Sequence, residues 1–264
     1  MIFSSHIAHG LVTTTPLHVL TEIQSPQEPS AEMDLGSVAH QVILEGDTSG
    51  VAIIEAPDWR TKAAKEARDA ARAAGKTPIL AHHWTRVEAM VEAVERQLQA
   101  FTPVPFAREG GMAEHSLYFT LEGVECRATP DWLTLDNRHI WDLKTTGVTA
   151  NPAAFSRTLF DKGYHLQAAL YRRAVFKLTD VLPEFEFVVV ETEPPYALSI
   201  VGLDPASLAF ADEQLDHALA IWKRCLATNQ WPGYPTRTAY AEVPGYLVAQ
   251  WQERSYWDAE LQAR

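Results

Sequence analysis

Cysteine is scarce in this 264-residue sequence: Cys126 and Cys225 stand alone, with no CxxC or Cys/His cluster around either. A disulfide framework is therefore excluded, as are the iron–sulfur and zinc sites that short cysteine spacings announce. Long apolar runs are missing too, since no stretch of ~18 apolar residues is present to span a bilayer. The opening residues lack a charged start followed by an apolar run and a small-residue cleavage site. A cytoplasmic protein with no membrane partner is expected. Positive charge is in deficit, with 22 Lys and Arg against 34 Asp and Glu and a net charge of −12. That balance argues against a chain coated in basic patches. No GxxxxGK[ST] phosphate loop occurs, so any movement along a polymer would need a clamp and not ATP.

What is present is an ordinary globular composition, 47% hydrophobic and 21% charged, long enough to bury a substantial core. One domain over 1–264 is expected, with a mainly helical part over 1–110 and a core over 111–264. The charge is unevenly spread. Between Asp58 and Lys76 lie Arg60, Lys62, Lys65, Arg68, Arg72 and Lys76 against three acidic residues, so an acidic protein still carries one locally basic segment.

Along the chain, Ser4–Leu20 reads as a short helix, followed by a Pro/Ser-rich loop over Gln24–Ser30. Leu35, Val38, Val42 and Ile43 recur at helical spacing between Met33 and Leu44 and place His40 on or beside an inward face. Ser49–Ala56 is a strand or an extended connector. Thr61–Ala74 is an Ala-rich helix ending at Gly75, and a second helix runs over His83–Gln99 with Val87, Met90, Val91, Val94 and Leu98 as its stripe. Strands then follow, with Glu114–Leu121, Val124–Ala128 and His139–Lys144 as an antiparallel meander. Helices return over Pro152–Phe160 and Tyr164–Phe176, then strands over Phe185–Glu191 and Ala197–Val201. Asp204-Pro205 opens a helix to about Thr228. The class is α+β, a mixed central sheet flanked by helices.

The chemistry concentrates in Ala128-Thr-Pro-Asp131 and Ile140-Trp-Asp-Leu-Lys-Thr-Thr-Gly147. Residues two apart on a strand share a face, so Asp142 and Lys144 project side by side with Trp141 and Leu143 opposite. A turn around Asp136-Asn137-Arg138 folds the preceding strand back and brings Asp131 toward Asp142. Two close carboxylates stay ionised together only with a cation between them. A divalent ion meets that need, and oxygen donors select a hard one such as Mg²⁺. Phosphodiester hydrolysis uses such a site, with Lys144 orienting or deprotonating the attacking water. Asp-x-Lys alone is also the pattern of a solvated ion pair; the upstream Pro-Asp and the hairpin between them favour catalysis.

These residues resemble the PD-(D/E)XK nucleases, and within them the exonuclease VIII, or RecE-like, phage-type branch. The likeness runs over most of the chain, through Gly36-Ser-Val-Ala-His40, Arg60-Thr-Lys-Ala-Ala-Lys65, Ala113-Glu-His-Ser-Leu117, Trp141-Asp-Leu-Lys-Thr-Thr-Gly147, Gly163-Tyr-His-Leu-Gln-Ala-Ala-Leu-Tyr171 and Trp231-Pro-Gly-Tyr234. It implies a restriction-endonuclease-like core and a Mg²⁺-dependent 5′ to 3′ exonuclease on linear double-stranded DNA. Mn²⁺ is a possible substitute metal. It also implies a homo-oligomeric ring acting at DNA ends, alongside a single-strand annealing protein in recombination. Carried over by position, His40, Glu114, Asp131, Asp142 and the backbone carbonyl of Leu143 are the implied metal ligands. Glu114 is expected to begin the strand before Pro-Asp. Gln167 and Tyr171, one turn apart, match a Gln-x-x-x-Tyr element that buttresses Lys144 or touches the DNA strand. A satisfied core histidine at position 40 and a polar helix rim at 167 and 171 are the alternative readings.

The stripe Lys65, Arg68, Arg72 and Lys76 is a candidate phosphate track, or else a solvated helix face paired by Glu66 and Asp69. Other function classes remain in view. One is a structure-specific or restriction-like endonuclease, which would cut closed circles; another is a catalytically idle DNA-binding module of the same fold.

Overall fold

Local capping chemistry sets where the first elements begin in the computed structural model, which describes residues 1–25 and 31–262. Helix α1 (Ser5–Thr13) starts where the Ser4 hydroxyl accepts the Ile7 N–H, and Pro16 opens α2 (Pro16–Gln24). The expected single opening helix is thus two, because Thr14 and Thr15 leave helical geometry before the proline. Residues 26–30 of the expected loop lie outside the described residues. Helix α3 (Ala31–Glu45) buries Val38, Ala39, Ile43 and Leu44 and holds His40 half-buried. The side chain of Leu35, expected on the same face, lies outside the described residues.

Strand β1 (Val51–Ile54) precedes α4 (Lys62–Ala73), which Thr61 caps by accepting the Ala64 N–H. Gly75, at φ 71°, supplies the left-handed residue that ends α4, as its sequence position predicts. Strand β2 (Thr77–Leu80) then pairs in parallel with β1 and leads directly into α5 (Ala81–Leu98). β2 is absent from the sequence reading: Thr-Pro-Ile-Leu is too short to show a period, and its partner lies across a helix.

The remaining elements follow in order: β3 (Gly111–Ala113), β4 (Leu117–Leu121), β5 (Val124–Ala128), β6 (Trp132–Thr134), β7 (His139–Thr146), α6 (Pro152–Asp161), α7 (Tyr164–Thr179), β8 (Glu184–Glu191), β9 (Leu198–Gly202), α8 (Pro205–Thr228) and α9 (Gly245–Gln262). The main sheet has the order β3-β6-β7-β8-β9, with β7 and β8 parallel and every other neighbour antiparallel. The parallel pair requires a crossover, which α6 and α7 provide. This is the expected α+β architecture with a mixed central sheet. The meander differs from expectation: β4 and β5 form a separate hairpin, because Leu117, Phe119, Val124, Cys126 and Ala128 bury against the helical side of the core. The short β3 takes the place beside β6.

β7 is covered on both faces. Ile140 joins Leu133, Phe187 and Val189 against α1, α7 and α8, while Trp141 and Leu143 join Trp132, Val188 and Val190 against α3 and α5. A central strand sealed this way has almost no freedom to slip, since a one-residue shift would exchange its two faces. The chain divides into two compact units, Met1–Pro232 and Gly233–Arg264. The first holds both the main sheet and the candidate site. The second contains α9, with Tyr246, Trp251, Tyr256 and Trp257 exposed. Among the described residues, no helix is long and apolar enough to cross a membrane.

Candidate active site

Period-two alternation along β7 places Asp142 and Lys144 on one face. Asp142 is wholly buried, and the Lys144 ammonium pairs with its Oδ1. Asp131 arrives by the hairpin. Asp136 accepts from the Thr134 hydroxyl at 2.7 Å and from the Arg138 N–H at 3.1 Å, Asn137 takes φ 59°, and Trp132 lands opposite Trp141. Asn tolerates the left-handed region well enough to serve in this turn. Asp131 Oδ2 then accepts the Leu143 N–H at 2.7 Å and a bond from His40 Nε2 at 2.7 Å.

Glu114 does not begin a strand. It sits between β3 and β4 at φ 49°, a conformation that side chains other than Gly, Asn and Asp rarely adopt, and its N–H donates to the Asp131 carbonyl at 3.1 Å. That bend aims its carboxylate at His40 Nδ1, 3.0 Å away. His40 thus bridges Glu114 and Asp131, and one ligand atom from each of the three lies within 4.8 Å of the others. Strained backbone at a cluster of acids is an observation that points to function.

Burial lowers the His40 pKa, but the bonds to Asp131 and Glu114 outweigh it and raise the imidazole to about 10. Without a metal, the two carboxylates thus favour the protonated imidazole. Burial, then the charge of Asp131, pushes the Asp142 carboxyl up, against the opposing pull of Lys144. Burial lowers the Lys144 ammonium pKa, and the charges of Asp142 and Asp131 more than reverse that. Neighbouring carboxylates contribute to each of these shifts, after burial in the case of Asp142.

From α7, Gln167 Nε2 donates to Asp142 Oδ2 at 2.5 Å. Of the two roles expected for Gln167, a buttress or a DNA contact, the geometry shows a buttress, and its partner is Asp142 and not Lys144. Tyr171, one turn on, is buried against Phe185 with ring centroids 6.2 Å apart. Burial, then the charge of Asp142, raises the Tyr171 phenol pKa.

His40, Glu114, Leu143 and Lys144 line a cleft of about 770 Å³ together with Gly36, Ser37, Gln41, Glu45, Thr145 and Tyr164, while Asp131 and Asp142 are buried beside it. The sequence assigns no role to the last six of these lining residues. A signal existed for Tyr164, which precedes Gln167 and Tyr171 at i, i+3 and i+7 on one helical face. Lys65, Arg68, Arg72 and Lys76 are not among the cleft's lining residues. Lys65 is exposed, Arg68 pairs with Asp69 at 2.9 Å, and Lys76 lies beyond the end of α4, so the expected four-residue helical stripe is three residues and a loop. The helix stops at Ala73 because Gly75 and the cap bonds turn the chain toward β2.

A divalent cation fits this donor set. One imidazole and two carboxylates already converge; Asp142 adjoins them, its Oδ1 buried against the Lys144 ammonium. A bound cation would displace the proton that Asp131 and Glu114 favour on His40. Hard oxygen donors with one nitrogen suit Mg²⁺ and Mn²⁺.

A family model described as a PDDEXK-like domain of unknown function (DUF3799) matches residues 11–243. No curated protein matches the chain by sequence. Among solved structures, one from Eubacterium rectale, described as a candidate exonuclease, is 12% identical, with 92% of this chain and 91% of that one covered and a TM-score of 0.62. A phage-related exonuclease from Haemophilus somnus 129PT is 10% identical over 87% of this chain and 97% of that one, with a TM-score of 0.35, too low to carry an argument. At these identities the first likeness speaks for the fold, a mixed sheet flanked by helices.

Proposed function

The chain belongs to the PDDEXK-like domain family, and on that premise we propose that it is a divalent-metal-dependent deoxyribonuclease, specifically a 5′ to 3′ exonuclease on linear double-stranded DNA. The observation that carries this reading is the meeting of His40, Glu114 and Lys144, which line one open cleft, with Asp131 and Asp142 buried beside them. A structural ion pair would not need three gathered carboxylates, one of them on a glutamate with strained backbone.

In this reading His40, Glu114, Asp131, Asp142 and the Leu143 carbonyl hold Mg²⁺, with Mn²⁺ as substitute. The ion supplies charge neutralisation at the phosphate and a lowered pKa for water. The chain's own groups do the rest. Lys144 orients the attacking water and donates to the developing negative charge. Gln167 fixes the Asp142 carboxylate, and the N–H of Leu143 fixes Asp131. Exonuclease polarity, the RecE-like branch, a homo-oligomeric ring and a single-strand annealing partner rest on the sequence motifs alone; the Eubacterium rectale protein is described as an exonuclease, with no polarity named. The basic residues of α4 and Lys76 are the proposed duplex track outside the cleft.

Digestion of a linear duplex labelled at either end, with Mg²⁺ or with EDTA, tests the proposal. Mononucleotide release from the 5′ end that EDTA stops is expected, with a 5′-phosphorylated end preferred over a 5′-hydroxyl. Cleavage of closed circular DNA would replace the exonuclease with an endonuclease, and binding without hydrolysis would leave a DNA-binding module.

A further inference from the structure

We propose that Tyr164 is a positioning residue for Lys144, its ring face holding the ammonium at the floor of the cleft. The consequence for catalysis rests on the nuclease reading; the contact itself does not. Lys144 Nζ lies 4.7 Å from the centroid of the Tyr164 ring and 5.9 Å from that of Phe187. Both are within the range over which a ring's quadrupole attracts a cation.

The Tyr164 ring is itself fixed. It stacks on Phe155 at 6.3 Å and tilts against Phe187 at 5.9 Å. Its backbone is the first residue of α7, set by Gly163 at φ 71°. A Cβ at Gly163 would lie 2.4 Å from His9 Cδ2, so the ring of His9 closes over the space that only glycine leaves open. The placement of Tyr164 is therefore written into the preceding residue.

Tyr164 and Gln167 share one face of α7. Gln167 holds Asp142 and Tyr164 holds Lys144, so one helix orients both members of the pair on β7. The two grips differ in kind. An ion pair with Asp142 weakens when positive charge collects on that carboxylate, whereas attraction to a ring face does not depend on the carboxylate. The ring face takes up no conventional hydrogen bond, which leaves N–H donors of Lys144 free to turn toward water or phosphate.

Site-specific replacement separates this from simple packing. Phe, 4-fluoro-, 3,5-difluoro- and 3,4,5-trifluorophenylalanine at position 164 keep ring size nearly constant while the quadrupole weakens step by step. The expected result is that Tyr164→Phe restores what Tyr164→Leu loses, and that kcat falls with each fluorine, about tenfold across the series, with KM held. In parallel, the Lys144 ε-methylene resonance, assigned by its loss in Lys144→Met, should be shifted upfield in the wild type and in Tyr164→Phe and return to its ordinary position in Tyr164→Leu. A flat kcat series overturns the proposal, as does an unshifted resonance. If the wild type degrades no DNA, the nuclease reading fails and the resonance alone decides whether Tyr164 holds Lys144.

Discussion

A carboxylate as completely buried as Asp142 needs a partner on each oxygen to remain charged. Gln167 serves Oδ2 and Lys144 serves Oδ1. The two partners have separable roles. Lys144→Ala should cut cleavage by roughly 10²- to 10⁴-fold, the range for losing a group that assists proton transfer, while Mg²⁺ still binds. Asp142→Ala should lose both. Calorimetric Mg²⁺ titration of the two variants checks the division, and equal loss of binding in each would refute it. Gln167→Ala leaves a buried oxygen with one donor fewer, so kcat should drop about tenfold or more at little cost in KM, as expected when a charge-assisted hydrogen bond is lost. Steady-state kinetics on one linear duplex reads that split. At this scale the sequence was legible for Asp131, Asp142 and Lys144, because strand period and one turn place them. It was not legible for the partner of Gln167, since helix spacing shows which residues share a face and not what that face meets.

Strand β7 shows what an element adds. Beyond the site, His139 donates from Nε2 to Glu186 Oε2 at 2.8 Å, and Trp141 Nε1 donates to the same oxygen at 3.2 Å, tying β7 to its parallel neighbour β8. The bond from His139, against a smaller burial effect, holds the Glu186 carboxyl below its ordinary value of 4.5. A depressed folded pKa means that this stabilisation is complete above 4.5 and lost as pH falls through the folded value. Glu186→Gln should therefore cost about 1 kcal/mol near neutrality, the pair being partly solvated, and progressively less below pH 4.5. Urea denaturation of both proteins at pH 7 and pH 3.5 measures it; an equal penalty at the two values would show that Glu186 acts through packing. Helices with stripes or caps, such as α5 and α8, were readable within a few residues. The parallel pairing of β1 with β2, the insertion of β3 beside β6 and the left-handed turn at Glu114 were not. Each is decided by long-range partners, and a short strand carries too few residues to display its period.

Over the whole molecule the problem for a DNA enzyme is a net charge of −12, which repels phosphate at long range. The site adds to that repulsion through Glu114, Asp131 and Asp142, so an approaching duplex gains attraction only where cations gather or where a metal neutralises the carboxylates. Lys65 and Lys76 are exposed in the segment richest in basic residues, and neither lines the cleft. They are placed to influence binding and not the chemical step. Each phosphate contact contributes about −0.9 to the slope of log K against log salt. The double variant Lys65→Gln/Lys76→Gln should therefore make that slope shallower by about two and weaken duplex binding at low salt, with kcat at saturating DNA unchanged. Fluorescence anisotropy with a labelled duplex in EDTA, over a range of NaCl, gives the slope without degradation. An unaltered slope would remove the segment from the DNA path and leave it as a solvated helix, its charges balanced by Glu66 and Asp69, with substrate capture then falling to the cleft and its metal alone.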